Sequence, residues 1–361
     1  MKEVTVNSNN DSYRVYIDIT LDKLPAVMEE NKIKKSDRLF IITDTTVYGI
    51  YKDKLSRIKH LYNCRIFTTE PGEDHKTIDT VKSIYSFLIE EEADRNSILV
   101  AFGGGIIGDL VGFCAATYMR GIRFINIPTT LISQVDSSLG GKTGFNYNGL
   151  KNMIGAFYNP VFVFSSIMFL KTLPEEHIIS GMGEILKYSL IKDKSLFNFL
   201  DIHYKEIYEL ENDKLAYIIR ECVKIKSDVT GEDFKDTGVR NILNFGHTVG
   251  HAIETCSNYS ISHGKSVALG MLTALKLSEK KLNLNENNYT MIKNVYKKLK
   301  LPTYYNVDNS SLFLYAIKHD KKNTGTMRFV LLNEIGKCTI KVEVTESELK
   351  DALNNSIFKE E

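Results

Sequence analysis

The sequence predicts an α/β N-terminal domain with a parallel, Rossmann-like sheet, followed by a mainly α-helical C-terminal domain. Three observations carry that reading. Short β-rich runs alternate with helical runs as far as about residue 165, long amphipathic segments take over after about residue 170, and a glycine-rich turn at 103–108 joins a strand pattern to a helix pattern. With 361 residues, 43% hydrophobic and 25% charged, the chain can fill two full-sized cores, which excludes disordered and fibrous classes. The expected domains are residues 1–170 and 171–361.

In chain order the strand runs are YRVYIDI from Tyr13, RLFIIT from Arg38, CRIFTT from Cys64, SILVAF from Ser97, RFINIP from Arg123 and VFVF from Val161. Between the third and fourth, Ile78, Val81, Ile84, Tyr85 and Leu88 recur at the helical period within 75–92. Strands that alternate with helices pair in parallel, because a parallel crossover needs a helix-length connection. In the second half amphipathic segments fall at about 175–192, 213–229, 246–256, 266–282 and 287–299. Strand patterning returns only at 328–332 (RFVLL) and 338–344 (CTIKVEV).

Charge narrows the function. The 46 Lys+Arg against 45 Asp+Glu leave a formal net charge of +1, so no global field attracts nucleic acid or an acidic membrane, and anion recognition must be local. The cysteines at 64, 114, 222, 256 and 338 form no CxxC pair and read as reduced thiols of a cytoplasmic protein. The opening MKEVTVNSNNDSY lacks an apolar signal core, and the apolar stretch from Ser97 to Thr117 is broken by glycines and Asp109. Neither export nor a membrane span is expected.

SILVAF leads into Gly103-Gly104-Gly105-Ile106-Ile107-Gly108-Asp109 and then the apolar LVGFCAA. Glycines in such a turn let the backbone take positive φ and approach a ligand, and the N–H groups that open the helix suit a pyrophosphate. Asp44 ends the second strand, and Glu73 and Lys76 follow the third, at carboxyl ends where acidic side chains suit ribose hydroxyls. After the fifth strand Asp136, Lys142, Lys151 and Asn152 lie among glycines and apolar residues, which fits cations held in a packed site. The P-loop spacing is not met, since Asp136 stands five residues before Gly141.

His247 and His251, four apart, share a helical face, and His263 follows closely. HTVGH lacks the glutamate of HExxH, so a metalloprotease is excluded while a metal site stays open. Glu184 in GMGEILKYSLI, with Lys187 one turn on, can supply a third ligand. Spacing alone leaves both His247/His251 and His247/His263 as the histidine pair.

Together these motifs resemble the 3-dehydroquinate synthase family of sugar-phosphate cyclases. The similarity runs from about Thr43 to Arg328 through PGExxK at 71–76, GGGxxGD at 103–109, MRG at 119–121 and PTTLxxQVDSSxGGKTGxN at 128–146. It continues through LKNMIGAF at 150–157, EILKY at 184–188, GxRxxLNFGHTxGHAIE at 238–254, HGxxVAxGM at 263–271 and DKKN at 320–323. The resemblance implies Glu184, His247 and His263 as ligands of Zn²⁺ or Co²⁺, with His251 beside the substrate. It implies active-site polar groups at Arg120, Asp136, Lys142, Lys151, Asn152, Lys187, Lys226, Arg240, Asn244 and His251, with Lys321 or Lys322. NAD contacts are implied at Asp44, Glu73, Lys76, Gly104, Gly105, Asp109, Thr129, Thr130 and Thr172, and at Lys142 and Lys151.

The implied activity converts 3-deoxy-D-arabino-heptulosonate 7-phosphate to 3-dehydroquinate and phosphate in the shikimate pathway of aromatic amino acid biosynthesis. The steps are transient NAD-linked oxidation at C5, phosphate elimination, re-reduction, ring opening and intramolecular aldol closure. The implied assembly is a homodimer. Three departures from the family pattern stand out: Thr46 where relatives carry asparagine, Asp233-Phe234-Lys235-Asp236 in place of DExE, and Lys265-Ser266 after the HG of HGxA. None removes a residue with a direct chemical role.

Overall fold

The computed structural model describes residues 1–8, 11–307, 310–318 and 327–358. The chain forms two compact units, Met1–Leu173 with Leu215–Gly231, and Pro174–Lys214 with Glu232–Glu361.

The first unit opens with β1 (Lys2–Ser8), β2 (Asp11–Asp18), α1 (Leu24–Glu30), β3 (Arg38–Asp44), α2 (Thr45–Leu61), β4 (Asn63–Thr69) and α3 (Ile78–Glu90). It continues with β5 (Ile98–Gly103), α4 (Gly105–Thr117), β6 (Arg123–Pro128), β7 (Lys142–Tyr147), β8 (Leu150–Phe157) and β9 (Phe162–Ser166). Seven strands make one sheet in the order β1-β2-β9-β6-β5-β3-β4, parallel throughout except for the β1/β2 pair. β7 and β8 pair with each other as a separate antiparallel hairpin. Strand patterning was expected from Tyr13 onward, so β1 is an addition; within it Val4 and Val6 are buried, a weak signal that tertiary pairing completes.

Both sheet faces are covered, which explains the apolar strands. Along β3, Leu39 and Ile41 join one core with Leu55 and Ile58 of α2, while Phe40 and Ile42 join the other with Val81, Ile84 and Leu88 of α3. Apart from the β1/β2 edge, the order β4-β3-β5-β6-β9 is a doubly wound one whose winding reverses between β3 and β5. Ligands of such sheets bind at the carboxyl ends beside that reversal. Asp44 and the glycine turn stand at those two strand ends.

The glycines of that turn correct one expectation. Gly104, the N-cap of α4, has φ −73° and ψ −170°, and none of Gly103, Gly104, Gly105 or Gly108 takes a positive φ. Space is the constraint instead. A Cβ on Gly103 would sit 2.7 Å from Ile107 Cγ1, and one on Gly105 would sit 2.6 Å from Ser137 Oγ.

The chain then forms α5 (Glu175–Lys192), α6 (Lys194–Tyr208) and α7 (Asn212–Glu232), whose stretch Leu215–Gly231 belongs to the first unit. The second unit continues with α8 (His247–Cys256), α9 (His263–Leu282), α10 (Glu286–Lys298), α11 (Ser310–Lys318), the antiparallel pair β10 (Arg328–Glu334) and β11 (Lys337–Glu343), and α12 (Glu346–Asn354). Its core surrounds α9, buried without a break from Ser266 to Leu275 and packed by α5, α8, β10 and α12. Among the described residues no helix is long and apolar enough to cross a membrane.

Candidate functional site

Three helices of the second unit converge on one point. Glu184 of α5, His247 at the start of α8 and His263 at the start of α9 each offer a ligand atom, and these atoms lie within 4.8 Å of one another. Glu184 Oε1 is 3.7 Å from His247 Nε2 and 3.4 Å from His263 Nε2. A tetrahedral site with bonds of ~2.1 Å has edges of ~3.4 Å, so the spacing fits a divalent transition ion held by one carboxylate and two imidazoles. Of the two histidine pairs that spacing left open, His247/His263 is the one that faces Glu184.

Backbone contact between the helices makes this convergence possible. A Cβ on Gly183 would lie 2.2 Å from the Gly264 carbonyl oxygen, and one on Gly270 would lie 2.0 Å from that of Gly246. Gly183, Gly246 and Gly264 flank Glu184, His247 and His263 directly in sequence. Without side chains at those crossings the helices touch, and ligand side chains of moderate length meet.

The imidazoles are also oriented. His247 Nδ1 lies 3.2 Å from the Phe245 carbonyl oxygen, and His263 Nδ1 lies 3.1 Å from Glu254 Oε2. A carbonyl and a carboxylate only accept, so these partners hold a proton on each Nδ1 and turn each Nε2 toward Glu184. Burial lowers the His263 pKa, but hydrogen bonds and charge from Glu184 and Glu254 outweigh it and push the value up to about 10. The His251 ring centre is 5.5 Å from that of His247 and 6.2 Å from that of His263, a neighbour of the triad. Lys187, 1% exposed, places its ammonium against Glu184 Oε2.

Arg240 is buried on the 239–244 segment, where Nη1 donates to the Phe234 carbonyl oxygen at 2.6 Å. Asp233 accepts from the backbone N–H groups of Thr237 at 3.1 Å, Gly238 at 2.6 Å and Arg240 at 3.1 Å. Burial raises the Asp233 carboxyl pKa, and those hydrogen bonds more than reverse it to a net lowering. The stretch that departs from the family pattern therefore anchors Arg240. Asn244, partly exposed, ends the same segment.

The first unit holds a second network. Lys76, 4% exposed, donates to Asp109 Oδ2 at 2.5 Å and to Asn152 Oδ1 at 2.6 Å. Asn152, at φ 50°, donates its backbone N–H to Asn146 Oδ1 at 3.0 Å, and Asn146 Nδ2 donates to Glu73 Oε1 at 2.8 Å. Burial pushes the Asp109 carboxyl above its ordinary value, with the Lys76 ammonium opposing. Lys226 of α7 donates to Asp136 Oδ1 at 2.8 Å and to its carbonyl oxygen at 2.9 Å.

Asp44 caps α2 by accepting from Val47 N–H at 2.8 Å, and burial raises its pKa. The N-cap of α4 is Gly104, which has no side chain to cap the helix, and Thr130 Cγ2 packs 3.2 Å from a Cβ position on it. The Thr129 N–H donates to Gly103 O at 2.9 Å, and the Thr172 hydroxyl bonds the Tyr51 hydroxyl. Arg120 is exposed at φ 68°, Lys142 is exposed on β7, and Lys151 is half-buried on β8. Lys321 and Lys322 lie outside the described residues.

Sequence reasoning assigned no role to Glu254, Asn146 or Tyr51. The first two stand inside quoted motifs, and Glu254 falls seven residues after His247, on the same face of α8. That spacing was the available signal.

Solved structures place this architecture in a class. A 2-epi-5-epi-valiolone synthase from Streptomyces hygroscopicus, described with NAD⁺ and Zn²⁺ bound, superposes with TM-score 0.89 at 27% identity over 96% of this chain and 97% of its own. A 2-deoxy-scyllo-inosose synthase, described with carbaglucose-6-phosphate, NAD⁺ and Co²⁺, matches with TM-score 0.89 at 25% identity over 99% of this chain and 100% of its own. An iron-containing alcohol dehydrogenase from Thermotoga maritima shares the fold, with TM-score 0.67 at 15% identity over 98% of each chain. The fold is thus that of the sugar-phosphate cyclases.

Sequence relatives narrow the class. Family models described as 3-dehydroquinate synthase N-terminal and C-terminal match residues 66–180 and 181–323. A 3-dehydroquinate synthase of Clostridium tetani is 53% identical over 99% of this chain and 95% of its own, and one from Aliivibrio fischeri is 38% identical over 98% and 99%. The chain belongs to the 3-dehydroquinate synthase family.

Proposed function

We propose that the chain converts 3-deoxy-D-arabino-heptulosonate 7-phosphate to 3-dehydroquinate and phosphate, with NAD bound by the sheet unit and Zn²⁺ or Co²⁺ bound by the helical unit. The observation that carries the reading is the buried Glu184 carboxylate facing two imidazoles whose Nδ1 atoms are already engaged. Bound NAD⁺ supplies a reversible hydride sink at C5, and the divalent ion supplies charge stabilisation for the neighbouring hydroxyl oxygens.

The chain's own groups do the rest. Arg240, held by Phe234 and the Asp233 loop, presents a preoriented guanidinium to an anionic substrate group. Lys187 offsets the negative charge of Glu184. Asp136, fixed by Lys226, orients substrate hydroxyls together with Lys142. Asn244 polarises by hydrogen bonding and His251 transfers protons, and the departing phosphate itself takes the C6 proton, so no separate strong base is required. Lys151 and Asn152 bind the polar end of the substrate, and Arg120 and Lys321 complete its anion contacts. Asp44, Glu73, Lys76, Gly104, Gly105, Asp109, Thr129, Thr130 and Thr172 form the dinucleotide site along the carboxyl ends of the strands. The reading includes a cytoplasmic homodimer; all five cysteines are free thiols, in keeping with a reducing compartment.

A second reading is a cyclase for a sugar phosphate without a carboxylate, favoured by the valiolone and inosose synthase structures. The test is one assay. Purified protein with the heptulosonate phosphate, NAD⁺ and zinc should release inorganic phosphate with no net NADH, and should leave a carboxylate-free analogue unprocessed. Stoichiometric NADH would overturn the cyclase reading in favour of a dehydrogenase.

A further inference from the structure

We infer that Glu254 is a positioning residue that sets the tautomer and donor strength of His263, and so the affinity of the second unit for its metal ion. The inference rests on the metal-binding reading above and concerns a residue that touches neither substrate nor cofactor in that reading. Three observations support it. Glu254 is 4% exposed although it carries a carboxyl group, and such burial is costly for a charge unless it has a partner. Its Oε2 lies 3.1 Å from His263 Nδ1, on the ring edge opposite the Nε2 that faces Glu184 Oε1 at 3.4 Å. His263 is the first residue of α9, reached from α8 through a short connection, so its ring has no helical turn before it to fix its rotation.

The carboxylate does two things a neutral partner would not. It holds the proton on Nδ1, which leaves Nε2 as a lone-pair donor. It also draws that proton toward itself, which makes Nε2 a stronger donor to a cation. His247 shows the contrast, because its Nδ1 meets the neutral carbonyl of Phe245. The two imidazoles are then unequal ligands: His263 is the strong one, and its strength depends on a residue seven positions after His247. Losing a partner of this kind typically lowers metal affinity ~10–100-fold.

The test uses the full chain stripped of metal, with Zn²⁺ and Co²⁺ alone as probes. Zinc affinity is measured by competition with a chromogenic chelator for the parent, Glu254→Gln, Glu254→Asp and His263→Ala. Glu254→Gln keeps the shape and removes the charge, while Glu254→Asp keeps the charge and withdraws it by one methylene. Both should bind zinc at least tenfold more weakly, and the Co²⁺ visible spectrum should shift in each. Turnover at saturating zinc should recover to within a few-fold of the parent, which a folding defect would not allow. Zinc affinity within twofold of the parent in both variants would overturn the inference. If His263→Ala also binds zinc like the parent, it is the metal-binding reading that fails.

Discussion

Replacing Lys76 with methionine isolates the polar network of the first unit. Lys76 is 4% exposed and its ammonium bonds Asp109 at 2.5 Å and Asn152 at 2.6 Å, so Lys76→Met leaves the Asp109 carboxylate, whose side chain is 19% exposed, without its ion-pair partner. Breaking one side of a buried pair costs about 3–5 kcal/mol. An upper bound follows from protonation, because the variant can always neutralise Asp109. From an ordinary carboxyl pKa of ~3.9, that costs about 4 kcal/mol at pH 7 and about 1.5 kcal/mol at pH 5. Burial already raises the Asp109 value, so neutralising it costs less than that bound, and the penalty at pH 7 should fall at the lower end of the range for a broken buried pair, about 3 kcal/mol.

The sign of the pH dependence follows. A carboxyl whose folded pKa lies above its unfolded value binds its proton more tightly when folded, so it destabilises at high pH and ceases to do so as pH falls through the folded pKa. For a unit of roughly 190 residues, ~3 kcal/mol corresponds to a melting shift of ~6–12 °C. Calorimetry of the two proteins at pH 7 and pH 5 should show that gap at the higher pH and less than half of it at the lower. Lys76→Met combined with Asp109→Asn should recover most of the loss. A gap under 2 °C at pH 7, or one unchanged at pH 5, refutes the reasoning.

Two further substitutions probe the second unit. Gly246→Ala must hold φ 78° with a Cβ 2.5 Å from Met271 Cγ and 2.6 Å from the Val267 carbonyl oxygen; a loss of ~2–4 kcal/mol and of bound zinc is expected, and unchanged melting with full zinc content would contradict it. Arg240→Ala should lower kcat/KM by an amount equivalent to ~2–5 kcal/mol if the guanidinium makes a buried charge contact to substrate, and a change under tenfold removes it from that role.

The sheet unit was readable in the sequence where burial on both faces makes strands continuously apolar, as in RLFIIT and SILVAF. It was least readable at β1 and at the β7/β8 hairpin. Lys142–Tyr147 and Leu150–Phe157 mix cations and amides with glycines and apolar residues, and Gly144 and Phe145 are the only buried positions of the pair, so no alternation of burial marks them as strands. α6 escaped for another reason: LFNFLDIHY has the right period, but His203 interrupts it with non-helical angles. At the site, residue types and spacing supplied the ligand candidates and left the histidine pair open. Glu254 was hidden because a glutamate on an amphipathic helix looks like any solvated charge until the fold buries it.

The two units also show what glycine beside a functional residue means in this chain. The sequence suggests conformational freedom at 103–105, yet the angles there are ordinary and the demand is for distance. The same holds at Gly183 and Gly264, where a side chain on either would strike the other helix. A glutamate and two histidines reach only a few ångströms from their backbones, so three separate helices can bring them onto one ion only if the helices touch. Glycine next to each ligand is then part of the ligand set in a physical sense: it fixes the distance over which the donor must act. That accounts for the pairing of Gly183 with Glu184, Gly246 with His247 and His263 with Gly264, which spacing rules for metal ligands do not address.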